Sequence, residues 1–135
     1  MKLSGMGHIA INSGNYRESL KFYRDILGLA EEDTSDWGDF RLTNLRMPDG
    51  GLLELFDYGM RSERAQNDNS VVGYRHFAFL VEDVDSWRQK LIDNGIEITM
   101  EPVEMPVLGT KGMLCLDPDG TEIELYEPLR ISGGR

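Results

Sequence analysis

The sequence predicts an α+β fold made of two βαβββ modules. Three observations carry that expectation. First, the chain repeats itself: "GHIAIN" at Gly7 to Asn12 is matched by "RHFAFL" at Arg75 to Leu80, and "PDGGLLELF" at Pro48 to Phe56 by "PDGTEIELY" at Pro118 to Tyr126. Second, the offsets agree, since the two histidines stand 68 positions apart and the two Pro-Asp-Gly segments 70, a difference that a small loop insertion absorbs. Third, both halves follow one order, a period-2 run, a helical-period run and three short extended runs.

The first module opens on a strand at about Met6 to Asn12, where apolar and polar positions alternate. Tyr16, Leu20, Tyr23 and Leu27 then recur at helical spacing, with Ser13 or Asn15 placed to cap the start and Gly28 to supply a left-handed end. "LAEEDT", "FRLTNLRM" and "LLELFDY" read as its three strands, and Pro-Asp-Gly supplies the fixed and permissive φ values of a tight turn before the last. "GMRSERAQNDNS" at Gly59 to Ser70 is polar enough to be a linker.

The second module repeats the plan: a strand at about Tyr74 to Val81, a helix carrying Val84, Trp87 and Leu91 between Asp83 and Gly95, and the runs "IEITM", "GMLCLD" and "EIELYEP". "EPVEMPVLGT" at Glu101 to Thr110, with two prolines and no clear period, reads as a loop. "ISGGR" reads as a frayed tail. The organisation expected is therefore 1–60 first module, 61–70 linker, 71–129 second module and 130–135 tail.

Charge and length exclude several function classes. With 24 acidic against 14 basic residues the formal charge is −10, and no basic patch interrupts it, so neither nucleic acid nor an anionic membrane is an expected partner. No apolar run approaches the roughly 18 residues of a membrane span. The N-terminus "MKLSGMGHIA" lacks a signal-peptide pattern, and the single cysteine, Cys115, cannot form an internal disulfide, so a cytoplasmic location is expected. A small molecule remains as the partner.

Strand alternation assigns the faces. His8 goes with Ala10 and Asn12; Glu54 goes with Leu52, Phe56 and Tyr58; His76 goes with Tyr74, Ala78 and Leu80; Glu124 goes with Glu122 and Tyr126. Each half thus puts one His and one Glu on the face away from its apolar one, and a pseudo-twofold arrangement would bring all four together. Two imidazoles and two carboxylates form an N2O2 donor set for one divalent cation with positions left for water or substrate. Such an ion also accounts for carboxylates in apolar strands that contain no Arg or Lys beside them. A lone His in an apolar strand is usually a hydrogen-bonded core residue and a lone Glu an edge residue, but the chain has only two histidines and both sit at the equivalent position. Leu52, Phe56, Tyr58, Tyr74, Leu80 and Tyr126 either line a pocket there or belong to the core; Arg41, Arg46 and Lys111 are candidate anion contacts.

The segments "GHIAI", "SLKFYRDILGL", "GYRHFAFLVEDV" and "DPDGTEIELYEP", with the paired βαβββ order, make the chain resemble the vicinal oxygen chelate superfamily, also called the glyoxalase/bleomycin-resistance/dioxygenase superfamily. The resemblance implies two modules whose sheets curve around a metal cleft, formed within one chain or across a homodimer, and a substrate bound through adjacent oxygens. The full set His8, Glu54, His76 and Glu124 is most similar to glyoxalase I, a lactoylglutathione lyase. It implies nickel, zinc or cobalt, or else manganese or iron, and a hemithioacetal of a 2-oxoaldehyde isomerised through an enediolate, with Glu124 as catalytic base and Glu54 serving the opposite face. Bacterial glyoxalases commonly place Arg four residues after the first His and Asn four after the first Glu for glutathione; this chain has Asn12 and Tyr58 there, which leaves the thiol open. Ring-cleaving dioxygenases, epimerases and metal-free drug-binding resistance proteins are the alternatives the resemblance leaves open.

Overall fold

Apolar alternation needs a partner layer to bury it, and in each half one helix supplies that layer. A computed structural model of the protein describes residues 1–130 and divides into two units, Met1–Arg64 and Ala65–Arg135, the division falling inside the 61–70 segment. The expected tail at 131–135 lies outside the described residues.

In the first unit, β1 (His8–Ser13) leads into α1 (Tyr16–Leu20), which widens into a π-helical turn over Lys21–Ile26, and β2 (Ala30–Asp36), β3 (Arg41–Arg46) and β4 (Leu52–Asp57) follow. The sheet order is β1-β4-β3-β2, with β1 parallel to β4 and the other pairs antiparallel. Leu45, Leu53 and Leu55 of the sheet and Leu20, Phe22, Tyr23 and Ile26 of the helix form the buried layer. The widened turn is what departs from the expected helix. It lets two consecutive rings, Phe22 and Tyr23, both sit in the core, edge to face at 4.8 Å. Asn15 caps the helix, accepting from the Glu18 amide at 3.3 Å, while Ser13 shares a 2.6 Å hydrogen bond with Ser19.

The second unit holds β5 (Phe77–Leu80), α2 (Val84–Asp93), β6 (Ile98–Met105), β7 (Thr110–Leu116) and β8 (Glu122–Pro128), in the order β5-β8-β7-β6. Phe77, Met113, Cys115, Ile123 and Leu125 meet Val84 and Leu91 in its core. Burial there pushes the Cys115 thiol up to about 12. The Pro-Asp-Gly turns are equivalent: Met47 N donates to Gly51 O at 2.8 Å and Asp117 N to Thr121 O at 2.9 Å, with Gly50 and Gly120 at φ 93° and 84°.

Two expectations need correction. The fifth strand does not span Tyr74 to Val81 but Phe77–Leu80, the stretch that pairs with β8 from Ile123 to Tyr126. Tyr74 and His76 therefore precede the strand. Glu101 to Met105 is not loop but the end of β6; only the turn at 106–109 separates it from β7. Pro102 is tolerated because β6 is an edge strand whose register shifts between Met100 and Val103. The segment after the division packs back on its own unit, with Ala65 N donating to Asp119 O and Asn67 Nδ2 to Gly120 O. Among the described residues no helix is long and apolar enough to cross a membrane.

Candidate metal centre

Pairing registers put His8, Glu54 and Glu124 on the face of their sheets away from the buried leucines and isoleucine, and His76 comes just before β5. In the first unit Ala10 and Asn44 flank Glu54, and Asn12 and Leu42 flank Phe56. Glu54 thus faces away from the buried Leu53 and Leu55. His8 Nε2 lies 3.2 Å from Glu54 Oε1, with the imidazole 52% exposed and the carboxylate 19%. In the second unit Ala78 and Leu114 flank Glu124, and His76 Nε2 lies 2.8 Å from Glu124 Oε2, the side chains 22% and 19% exposed. The equivalent residues make the equivalent pair twice.

These separations were tested against a metal. Two donors about 2.1 Å from an octahedral ion and at right angles stand about 3.0 Å apart, and the observed 2.8 and 3.2 Å bracket that value. Each pair alone supplies one nitrogen and one carboxylate. Among the described residues no group of three or more His, Cys, Asp or Glu side chains is close enough to hold an ion. His76 Nδ1 is buried without a hydrogen-bond partner. The donor chemistry of each pair fits a divalent ion: His8 and Glu54 would supply donors in the first unit, His76 and Glu124 in the second.

Glu124 has a further constraint that only coordinates reveal. A Cβ on Gly112 would meet Glu124 Oε1 and Met105 Cε at 3.0 Å each. The glycine therefore clears the space that the carboxylate occupies, and Gly112 has no left-handed φ to excuse it otherwise. Gly112→Ala is expected to weaken divalent-metal binding by about 10- to 100-fold, as loss of a ligand's supporting contacts does. Titration calorimetry giving the native affinity would show that Glu124 needs no such room.

The remaining expected residues divide. Asn12, Phe56 and Tyr58 share the His8–Glu54 face, and Tyr126 lies one step along β8 from Glu124, opposite Gly112. Tyr74 instead lies before β5, where it lines a polar cavity of about 100 Å³ with Gln66, Asn67, Asp68 and Arg75. Desolvation, and then the nearby Asp117, hold its hydroxyl above the usual tyrosine range. The three candidate anion contacts are committed elsewhere: Arg41 to Asp57 at 2.6 Å, Arg46 to Glu32, and Lys111 to Asp85 at 2.6 Å. The sequence reading missed Trp37, Phe40 and Asn44, which also belong to the first face. Phe40 and Asn44 were signalled by parity, since both lie two residues from Leu42, which pairs with Phe56.

Two βαβββ units, each with a His–Glu pair on its open sheet face, define a class of duplicated α+β protein. The match to the Glyoxalase/Bleomycin resistance protein/Dioxygenase superfamily runs over residues 5–125, and the chain belongs to that superfamily. Over 131 residues it is 34% identical to the uncharacterized protein YwkD of Bacillus subtilis (strain 168), a match covering 94% of this chain and 99% of that protein. It is 31% identical over 125 residues to a probable lactoylglutathione lyase of Synechocystis sp. (strain ATCC 27184 / PCC 6803 / Kazusa), covering 89% and 92%. Among solved structures, that of SMU.1112c superposes with a TM-score of 0.81 at 32% identity, over 93% of this chain and all of that one.

Proposed function

We propose that this protein is a metal-dependent lyase/isomerase of the glyoxalase I type, working as a homodimer on a small oxygenated substrate, the hemithioacetal of a 2-oxoaldehyde. The observation that carries the reading is the twice-built His–Glu pair, at 3.2 Å in one unit and 2.8 Å in the other. In this reading the four side chains converge on one divalent ion, nickel, zinc or cobalt, with manganese or iron as further candidates. The ion, when bound, supplies Lewis-acid stabilisation of negative charge on a substrate oxygen.

The chain's own groups move the proton. In this reading Glu124 Oε2, 2.8 Å from His76 Nε2, is the oxygen on the ion's side, and Oε1 takes the carbon-bound proton and returns it to the neighbouring carbon. Glu54, with one oxygen beside His8, serves the opposite face of the substrate. The relative from Synechocystis supports this choice of chemistry within a superfamily that also holds dioxygenases and resistance proteins.

Metal analysis of protein purified without chelator, followed by an assay with methylglyoxal hemithioacetals of several thiols and added nickel or zinc, tests the proposal. Bound metal and metal-dependent thioester formation are expected. Absence of metal together with no affinity for added nickel, cobalt or zinc would sink it, and oxygen-dependent cleavage of catechols would replace it with a dioxygenase.

A further inference from the structure

The open face of the first sheet carries more than its His–Glu pair. Phe56 follows Glu54 by two residues in β4, a step of about 7 Å on one face, and Tyr58 comes just past the end of the strand. The turn between β2 and β3 delivers two more rings to the same place. Phe40 lies 5.2 Å from Phe56 and 5.1 Å from Tyr58, and Trp37 stacks on Phe40 at 6.0 Å with ring planes 7° apart. Trp37 is nevertheless 65% exposed and Tyr58 42%.

The shelf is held by its own turn. Trp37 N donates to Phe40 O at 2.9 Å, Trp37 Nε1 to Ser35 Oγ at 2.9 Å, and Gly38 N to Asp36 Oδ1 at 2.8 Å, with Gly38 at φ 87°. Rings fixed before anything binds lose little freedom when something does. Their surroundings disfavour an anion: Arg46, on the same face by register, is bound to Glu32 and to Gly50 O, and Arg41 is paired with Asp57. Arg61 lies over Tyr58 at 4.9 Å, directing its charge at that ring. A second copy of the chain is a poor occupant, since two half-open rings offer on the order of 250 Å² where a stable interface needs about 800 Å² per partner.

We propose that Trp37, Phe40, Phe56 and Tyr58 form a subsite for the non-reacting end of the substrate, and that this end is a planar apolar group, typically aryl, rather than a charged peptide thiol. The inference rests on reading His8 and Glu54 as metal donors, because it places the aryl group one to two strand steps from the chelated oxygens.

The test uses two oxygen chelators that differ only at that end, benzohydroxamate and acetohydroxamate, titrated calorimetrically into the nickel-loaded full-length protein. After correction for their affinities for free nickel, the phenyl compound is expected to bind about 10-fold more tightly or better. In Trp37→Ala/Tyr58→Ser, both exposed positions, and independently in Phe56→Leu, the ratio is expected to fall to within about twofold while acetohydroxamate binding is kept. Equal binding by the native protein, or a phenyl preference that survives both variants, overturns the subsite and leaves the metal reading standing. Failure of the protein to take up nickel, cobalt or zinc removes both. Dissociation of a dimer by Trp37→Ala/Tyr58→Ser, seen by light scattering, assigns the shelf to a second copy and overturns the proposal as well.

Discussion

Glu124→Gln is expected to lower turnover of the hemithioacetal by about 10²- to 10⁴-fold, the range general-base catalysis commonly supplies. Glutamine keeps the shape of the side chain and a carbonyl oxygen in place of one carboxylate oxygen. What it lacks is an oxygen able to take and return a proton at neutral pH. Loss should therefore appear in kcat, with substrate affinity changed far less. Metal content measured on the same preparation separates the two roles of the residue: an enzyme that keeps its ion and a near-native rate would refute the assignment of Glu124 as base.

The second large effect concerns the two pairs as a set. Removing either one, by His8→Ala/Glu54→Ala or by His76→Ala/Glu124→Ala, is expected to weaken divalent-metal binding by well over about 100-fold, more than the loss of a residue that merely supports a ligand. The two double variants should behave alike, because each removes one nitrogen and one carboxylate from a balanced set. Thermal stability should change little in either, since none of the four side chains belongs to the buried layers, which consist of residues such as Leu53, Leu55, Ile123 and Leu125. Calorimetric titration with nickel or zinc is the measurement. Native affinity after loss of His8 and Glu54 would restrict the metal site to the second unit and contradict the four-donor reading.

How much of this was legible beforehand can be argued from particular residues. The duplication was plain because His8 and His76 are the only histidines and the Pro-Asp-Gly turns repeat at nearly the same offset. The helix caps and turn glycines followed from local chemistry: Asn15, Asp83, Gly28 and Gly95 all act where short-range rules put them. The errors were all long-range. The fifth strand is shorter than its pattern because a strand exists only where a neighbour pairs with it, and its pairing with β8 runs only from Phe77 to Leu80. The region around Pro102 is strand because an edge position needs no donor on its outer side, and edge status is a property of the sheet order.

The site divides along the same line. Alternation put Glu54 and Glu124 opposite the apolar positions of their strands, and each lies beside the histidine of its own half, at 3.2 and 2.8 Å. Nothing local could announce that Arg41, Arg46 and Lys111 are engaged by Asp57, Glu32 and Asp85, residues 16, 14 and 26 positions away. Nor could it announce that Phe40 meets both Phe56 and Tyr58.

By itself the sequence determined a duplicated βαβββ protein, the turn that enters each last strand, and the strand face of Glu54 and Glu124, because backbone periodicity and turn chemistry act within a few residues. Tertiary structure alone decided which cations are already spent, how near a side chain at Gly112 would come to Glu124, and that four aromatic rings gather around Phe40. Those outcomes depend on which strands become neighbours and in what register, and register is set by packing of the whole sheet.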